Sequence, residues 1–111
     1  MTPRLSRRVA LEAKQTTPDG GGGETAAWVS KGTLWAEFRP GRGSEPQIGG
    51  RAASRVTHRV RVPSAPIGSP RRPEAEERLR LGARVFDILA VADDDAAGAF
   101  LRLWVVEGSL T

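Results

Sequence analysis

Short segments in which polar and apolar residues alternate are the feature that most constrains the fold of this chain. Residues 54–62, SRVTHRVRV, show it most clearly, because successive side chains of a β-strand point to opposite faces. One face would carry Val56, His58, Val60 and Val62. The other would carry Arg55, Thr57, Arg59 and Arg61. No segment shows the period of a long amphipathic helix, so the pattern favours a sheet of short strands.

The same alternation, with Gly- and Pro-rich stretches between the segments, predicts the order of strands and loops. The predicted strands are about 7–15, 25–39, 54–62, 78–81, 84–92 and 99–107. The predicted loops are about 16–24, 40–53 and 63–77. We therefore expect one domain over residues 1–111 with an all-β fold. About six short strands indicate a small antiparallel β-barrel, with a long basic loop between the second and third strands.

The hydrophobic residues of these strands define the expected core. At 39% hydrophobic residues, the composition is that of a globular chain rather than a disordered one. The residues expected in the core are Val9, Leu11, Trp28, Phe38, Val60, Phe86, Ile88, Leu103 and Val105. Because tryptophan buries a large apolar area, Trp28 and Trp35 are expected to be core or interface anchors rather than platforms for stacked bases.

Positive charge is concentrated in the middle of the chain. The net charge is +4 and the isoelectric point about 10.9, which favours polyanionic partners. From Pro40 to Arg72, a single acid, Glu45, accompanies the arginines. These are Arg42, Arg51, Arg55, Arg59, Arg61, Arg71 and Arg72. A preference for arginine over lysine can also reflect nucleotide composition, so the distribution is the better guide. The clustering predicts a surface that faces a polyanion.

The residues needed for catalysis are largely absent. The chain has no cysteine, its only histidine is His58, and no serine lies in a nucleophile-elbow motif. His58 shares a face with valines, so we expect it to be structural rather than a general base. Asp93, Asp94 and Asp95 lack the spaced ligands of a calcium loop. We predict a non-enzyme with no catalytic residue, no cofactor and no metal. No membrane contact is expected, because no segment approaches the roughly 20 apolar residues of a membrane span.

Three segments, taken in order, resemble the bacteriophage head-tail joining family, also called head-closure or stopper proteins. The family's opening strands are matched by LSRRVALEAKQTTPDGGGGETAAWVSKGTLWAEFRP, in which Trp28 follows a Gly-rich turn. Its middle strand is matched by SRVTHRVRV, and its closing strands by RLRLGARVFDILAVADDDAAGAFLRLWVVEG. The resemblance covers residues 5–108. Members from gene transfer agents, which are phage-like particles encoded in bacterial genomes, are most similar to the stretch RRPEAEERLRLGARVF.

The resemblance implies a structural connector of a phage or gene transfer agent particle. Such a protein would be synthesised in the bacterial cytoplasm and located in the neck between head and tail. The resemblance implies a ring of about 6 or 12 copies that contacts a portal-side adaptor protein and a tail terminator protein. A long loop from each subunit would reach double-stranded DNA in the central channel and help to retain it. Arginines repeated around such a ring would bind phosphates without reading the base sequence.

Particular arginines are candidates for these contacts. We expect the channel-facing residues to be Arg42, Arg51 and Arg55. Arg59 and Arg61 form a basic strand face that would contact DNA or a neighbouring ring. Two alternatives stay open: a stand-alone small-barrel module that binds nucleic acid, and a neck or tail protein of related fold without DNA contact. The first needs exposed aromatic residues for base stacking, which this sequence has few of.

Overall fold

The computed structural model describes residues 5–41 and 56–108, which form six β-strands. These are β1 (Arg7–Pro18), β2 (Glu24–Pro40), β3 (His58–Pro63), β4 (Arg78–Leu81), β5 (Arg84–Asp93) and β6 (Phe100–Gly108). The predicted all-β fold with six strands is confirmed, whereas the predicted basic loop before β3 lies largely outside the described residues. Over the described ranges there is no helix, and hence none long and apolar enough to cross a membrane.

The strands form a sheet that closes on itself. Their order around the barrel is β1-β2-β3-β6-β5-β4, and β4 returns to β1 through the pairs from Ala10↔Arg80 to Glu12↔Arg78. Every neighbouring pair is antiparallel, so strand direction alternates around the barrel. This alternation assigns each connection to one of two ends.

The connections at the two ends of the barrel differ in the charge of their sequences. The first end carries the β1–β2 turn, the segment 64–77 and the β5–β6 turn. The acids in these three connections are Asp19, Glu74, Glu76, Glu77, Asp94 and Asp95, against Arg71 and Arg72. The second end carries the β4–β5 turn, both ends of the described chain, and Gly41 and Val56. In the sequence, the basic residues 42–55 lie between Gly41 and Val56. We call these the acidic end and the basic end.

The barrel interior holds one hydrophobic cluster. Its buried members are Val9, Leu11, Leu34, Ala36, Val60, Val62, Leu79, Phe86, Ile88, Leu101, Leu103 and Val105. Phe38 is partly buried and packs against this cluster. Burial of these side chains is the main favourable term for folding a domain of this size.

Trp28 differs from the prediction, because it lies on the outer face instead of in the cluster. A β-bulge is the reason: Leu11 pairs with Gly32 but Glu12 pairs with Ser30, so Lys31 is an extra residue in β2. One extra residue exchanges the two faces of a strand. Leu34, Ala36 and Phe38 therefore face the interior, while Trp28 faces outward beneath the guanidinium of Arg78, 4.1 Å from the ring centroid.

Beyond the bulge, β1 and β2 continue as a two-stranded ribbon, residues 13–30, which we call the arm. β1 pairs with β4 only at residues 10–12, and β2 pairs with β3 only at residues 37–40. At the tip, the carboxylate of Asp19 accepts the backbone N–H groups of Gly21 and Gly23, at 2.8 and 3.1 Å. Gly20 and Gly22 have φ values of 84° and 87°, which favour glycine. The arm therefore has an ordered turn at its free end.

Candidate functional site

The basic residues 42–55 enter and leave the barrel at one place. The backbone N–H of Gly41 donates to the carbonyl of Thr57 at 3.1 Å, and the N–H of Thr57 donates to the carbonyl of Val105 at 2.9 Å. Arg59 packs against this point, because a Cβ added to Gly41 would lie 3.0 Å from its Cγ. Of the predicted channel-facing residues, Arg42, Arg51 and Arg55 all lie outside the described residues. The described structure therefore locates the two ends of this segment at the basic end of the barrel.

Next to this point, four arginines converge on the outer face of β2, β3 and β6. Together with Glu37, they line a small cavity of about 60 Å³. We call this set the arginine cluster: Arg39, Arg59, Arg61 and Arg102. Cross-strand pairing creates it, because Arg59 lies opposite Arg39 on β2, and Arg61 lies opposite Arg102 on β6. Both residues of the predicted basic strand face, Arg59 and Arg61, belong to it.

Two carboxylates balance part of this positive charge. Arg61 contacts both, since its Nη1 lies 3.3 Å from Oε1 of Glu37 and its Nε lies 3.1 Å from Oδ1 of Asp94. Arg102 donates to the same Asp94 oxygen at 2.8 Å, and Arg39 donates to Glu37 at 3.1 Å. Among residues 5–41 and 56–108, the cluster and its carboxylate partners thus hold four positive and two negative charges. Its net charge still favours an anion, but Arg61 is not a bare cation as the alternation pattern alone indicated.

Alternation did not identify the other members of the cluster. Arg39 and Arg102 occupy outward positions of β2 and β6, and the alternation within each strand is enough to indicate that they point outward. Their convergence depends on which strands are neighbours, and Asp94 comes from a turn 33 residues away from Arg61. No local pattern predicts such an arrangement.

The described residues are almost neutral as a whole. They contain 13 Lys and Arg and 12 Asp and Glu, which gives a net charge of +1, whereas the full chain has a net charge of +4. The remaining +3 comes from the residues outside these ranges, which are Arg4, Arg42, Arg51, Arg55 and Glu45. The segment 42–55 alone contributes three arginines and one glutamate. That segment therefore carries +2 of the net charge of +4, whereas Arg4 carries +1 and the described residues together carry +1.

His58 faces the interior side of β3 and is half-buried. Its ring makes edge contacts with Phe86 and Phe38, at centroid distances of 5.3 and 6.3 Å. Nδ1 lies 2.9 Å from the hydroxyl of Thr57, which itself accepts the backbone N–H of Glu107 at 2.8 Å. The Thr57 hydroxyl therefore connects the His58 ring to the backbone of β6. These contacts give the ring a packing role at the basic end.

An exposed ion pair lies at the same end of the barrel. Arg84 binds Glu107 through two hydrogen bonds, of 2.8 and 2.9 Å. The hydrogen bond from Arg84 lowers the pKa of the Glu107 carboxyl, and desolvation partly raises it. The charges of Arg84 and His58 lower the same pKa further. The pKa of Arg84 is raised by the same hydrogen bond. The pair is solvent-exposed, so its effect on stability is small.

The acidic turn before β6 is occupied by interactions within the chain. Asp94 binds Arg61 and Arg102, and Asp95 accepts the backbone N–H of Ala99 at 3.0 Å. Over residues 5–41 and 56–108, no group of three or more His, Cys, Asp or Glu is arranged to hold a metal ion.

With this geometry established, comparison with known proteins identifies the family. Residues 1–108 match the family described as phage head completion protein. This chain belongs to that family. The resemblance drawn from the sequence motifs is confirmed, and so is the expected association with a phage-like particle.

Two solved structures are similar to this phage head completion protein. A chain in the structure of the virion of a native gene transfer agent particle is 40% identical, with a TM-score of 0.75, and the alignment covers 98% of this chain and 100% of that one. A protein of Shigella flexneri 2a is 24% identical with a TM-score of 0.71, covering 97% and 96%, and supports the fold alone. No curated protein matches the sequence.

Proposed function

We propose that this head completion protein is a structural connector of a phage-like particle, without catalytic activity. It forms a ring beneath the portal and adaptor rings, joins head to tail and helps to retain packaged DNA. The observation that carries the proposal is the family match over residues 1–108, together with 40% identity to a chain of a gene transfer agent virion that aligns over its whole length. The location is the neck of the particle.

The retention of DNA rests on the distribution of charge. Residues 42–55 are inserted at the basic end of the barrel and hold three of the four basic residues outside the described ranges. Arg59, a member of the arginine cluster, packs against Gly41 at the root of this segment. In a ring, both would be repeated in every copy, which would surround the channel with positive charge. Phosphate binding of this kind is independent of base sequence and weakens as salt rises.

The proposal is tested by DNA retention in filled heads that carry the protein but lack tails. Reversing Arg42 and Arg51 to Glu removes positive charge from the segment, so the variant heads should lose DNA at a lower salt concentration than wild-type heads. The matched single-site comparison is Arg51→Glu against Arg71→Glu. These reverse the same charge in two different connections, one between Gly41 and Val56 and one between β3 and β4, and Arg71 is exposed. Only Arg51→Glu should shift the salt dependence.

The outcomes separate the proposal from its alternatives. Equal retention by all variants would reject DNA contact and favour a neck protein that binds only neighbouring proteins. The ion pairs of Arg61 and Arg102 within the chain are compatible with that role. If the wild-type protein is absent from purified particles and binds nucleic acid on its own, the stand-alone module is the correct assignment.

A further inference from the structure

The arm has two unused edges. Within the described residues, no strand pairs with β1 beyond Glu12 on the side away from β2, and none pairs with β2 between Glu24 and Ala36 on the side away from β1. The ribbon extends about 20 Å beyond the closed part of the barrel, at roughly 3.4 Å per residue. An isolated two-stranded ribbon is only marginally stable in water. The base of the arm is held by the contact of Trp28 with Arg78, and a partner along the free edges would stabilise the rest of it.

The pairing pattern shows which backbone groups point outward. Asp19 N–H donates to the carbonyl of Gly23, so this pair is hydrogen-bonded within the arm. Because antiparallel pairs alternate, the pairs Thr16↔Ala26 and Lys14↔Trp28 direct their N–H and C=O groups away from the arm. Pro18, which has no N–H, occupies the corresponding position at the tip. Each edge therefore presents a row of donors and acceptors.

Between Thr25 and Ser30, the β2 edge lacks the usual protection against pairing with another chain, whereas the β1 edge carries Lys14 and Pro18. Exposed edge strands normally carry several charges, prolines or bulges that prevent association. Residues 25–30, TAAWVS, contain no charge, and Val29 is 43% exposed. Beside the base of the β1 edge is a cavity of about 330 Å³ lined by Ala13, Lys14, Thr16 and residues 75–77. Residues 14–18 are all exposed, so this part of the edge is accessible to another strand.

We infer that the arm pairs edge to edge with the arm of a neighbouring copy, the β1 edge of one meeting the β2 edge of the next. This rests on the ring of the proposed function. The two edges are different and lie on opposite sides of one ribbon, as a head-to-tail contact in a ring requires. Strand directions make the new pair antiparallel. Within residues 13–30, the single charge of the β1 strand outside the turn is Lys14 and that of the β2 strand is Glu24, so the two edges carry charges of opposite sign.

The test uses Ala26→Pro, which removes an outward N–H and leaves the hydrogen bonds within the arm intact. The matched control is Ala26→Val, which keeps the N–H at the same position. Both are added to particles that lack this protein, and the rings are counted by electron microscopy. We expect Ala26→Pro to reduce ring occupancy by about ten-fold at a concentration that half-saturates wild type, because every contact in the ring loses a hydrogen bond. Ala26→Val should behave as wild type.

A second measurement does not depend on the folding of a variant. Hydrogen exchange at Lys14, Thr16, Ala26 and Trp28 should slow by about ten-fold or more when the wild-type protein enters the ring. Rings formed equally by Ala26→Pro, or unchanged exchange in the arm, would overturn the inference and leave the proposed function intact. Particles that contain the protein without any ring would overturn both. Slower hydrogen exchange in the arm without a ring would mean that a different protein binds its edges, and this result would also reject the inference.

Discussion

Arg78 donates a hydrogen bond of 2.7 Å to the carboxylate of Glu12, and both side chains are largely buried, at 6% and 13% exposure. The two residues face each other across the pair that closes the barrel, β1 with β4. The guanidinium also covers the ring of Trp28 at the base of the arm. One side chain thus connects the closure of the barrel to the ribbon that projects from it.

Glu12→Ala should lower the free energy of unfolding by about 3 kcal/mol, because it leaves the buried guanidinium of Arg78 without its carboxylate. Urea unfolding measures this change. The double variant Glu12→Leu, Arg78→Met removes both charges and should lie much closer to wild type. If the double variant is as unstable as Glu12→Ala, the loss comes from packing and not from an unpaired charge.

Asp94→Asn and Arg102→Gln should change DNA binding in opposite directions. Asp94 balances Arg61 and Arg102, so Asp94→Asn raises the positive charge of the arginine cluster. The affinity of the Asp94→Asn variant for duplex DNA should rise, and the slope of log affinity against log salt concentration should be steeper by about one unit. Arg102→Gln should weaken binding and reduce the slope. Fluorescence anisotropy across a salt series measures both, and identical slopes would show that DNA does not contact this face.

His58→Gln should lower the free energy of unfolding by about 1–3 kcal/mol, because the contact with the Thr57 hydroxyl and the edge contacts with Phe86 and Phe38 are lost. Thr57→Val is the informative control, since it removes the hydroxyl that links His58 to the backbone of Glu107. Thermal unfolding measures both. A folded His58→Gln variant of unchanged stability that fails to complete heads would instead indicate a role in assembly.

The Arg84–Glu107 pair should give a small dependence of stability on pH. The pKa of Glu107 is lower in the folded chain than in the unfolded one, so its contribution is present above the unfolded pKa. That contribution is lost as pH falls through the folded pKa. The difference in Tm between wild type and Glu107→Gln should therefore shrink in acid, and high salt should also reduce it. A difference that grows in acid would contradict the assigned direction.

The strand order along the chain could be predicted from the sequence because alternation is a local property. Val60 and Phe86 lie in the barrel interior, at positions that the two-residue period assigns to the core. β1 is longer than predicted, since the Thr-rich stretch to Pro18 still pairs with β2. Trp28 illustrates the limit of the method: the sequence at Lys31 and Gly32 indicates a break in the second strand, where the bulge lies, but it does not show how many residues the break inserts. One extra residue turns Trp28 away from the core.

The candidate site was less accessible to prediction because it depends on contacts between distant residues. Arg59 and Arg61 were found from the pattern of a single strand. Their neighbours Arg39 and Arg102 come from two other strands, and the balancing charge of Asp94 comes from a turn. Alternation within a strand predicts which of its residues share a face. Only the order of strands in the closed sheet determines which residues of different strands are neighbours on that face.

The extra residue at Lys31 also limits how the arm can change in length. Every residue of β2 before it is shifted by one position relative to the barrel wall, so the two faces of the arm depend on a single insertion. Deleting one residue between Trp28 and Gly32 would exchange those faces and move Trp28 away from Arg78. Deleting two residues from each strand would shorten the arm and keep every remaining side chain on its face. Insertions and deletions in the arms of related chains should therefore occur in steps of two on each strand, or be accompanied by a second bulge.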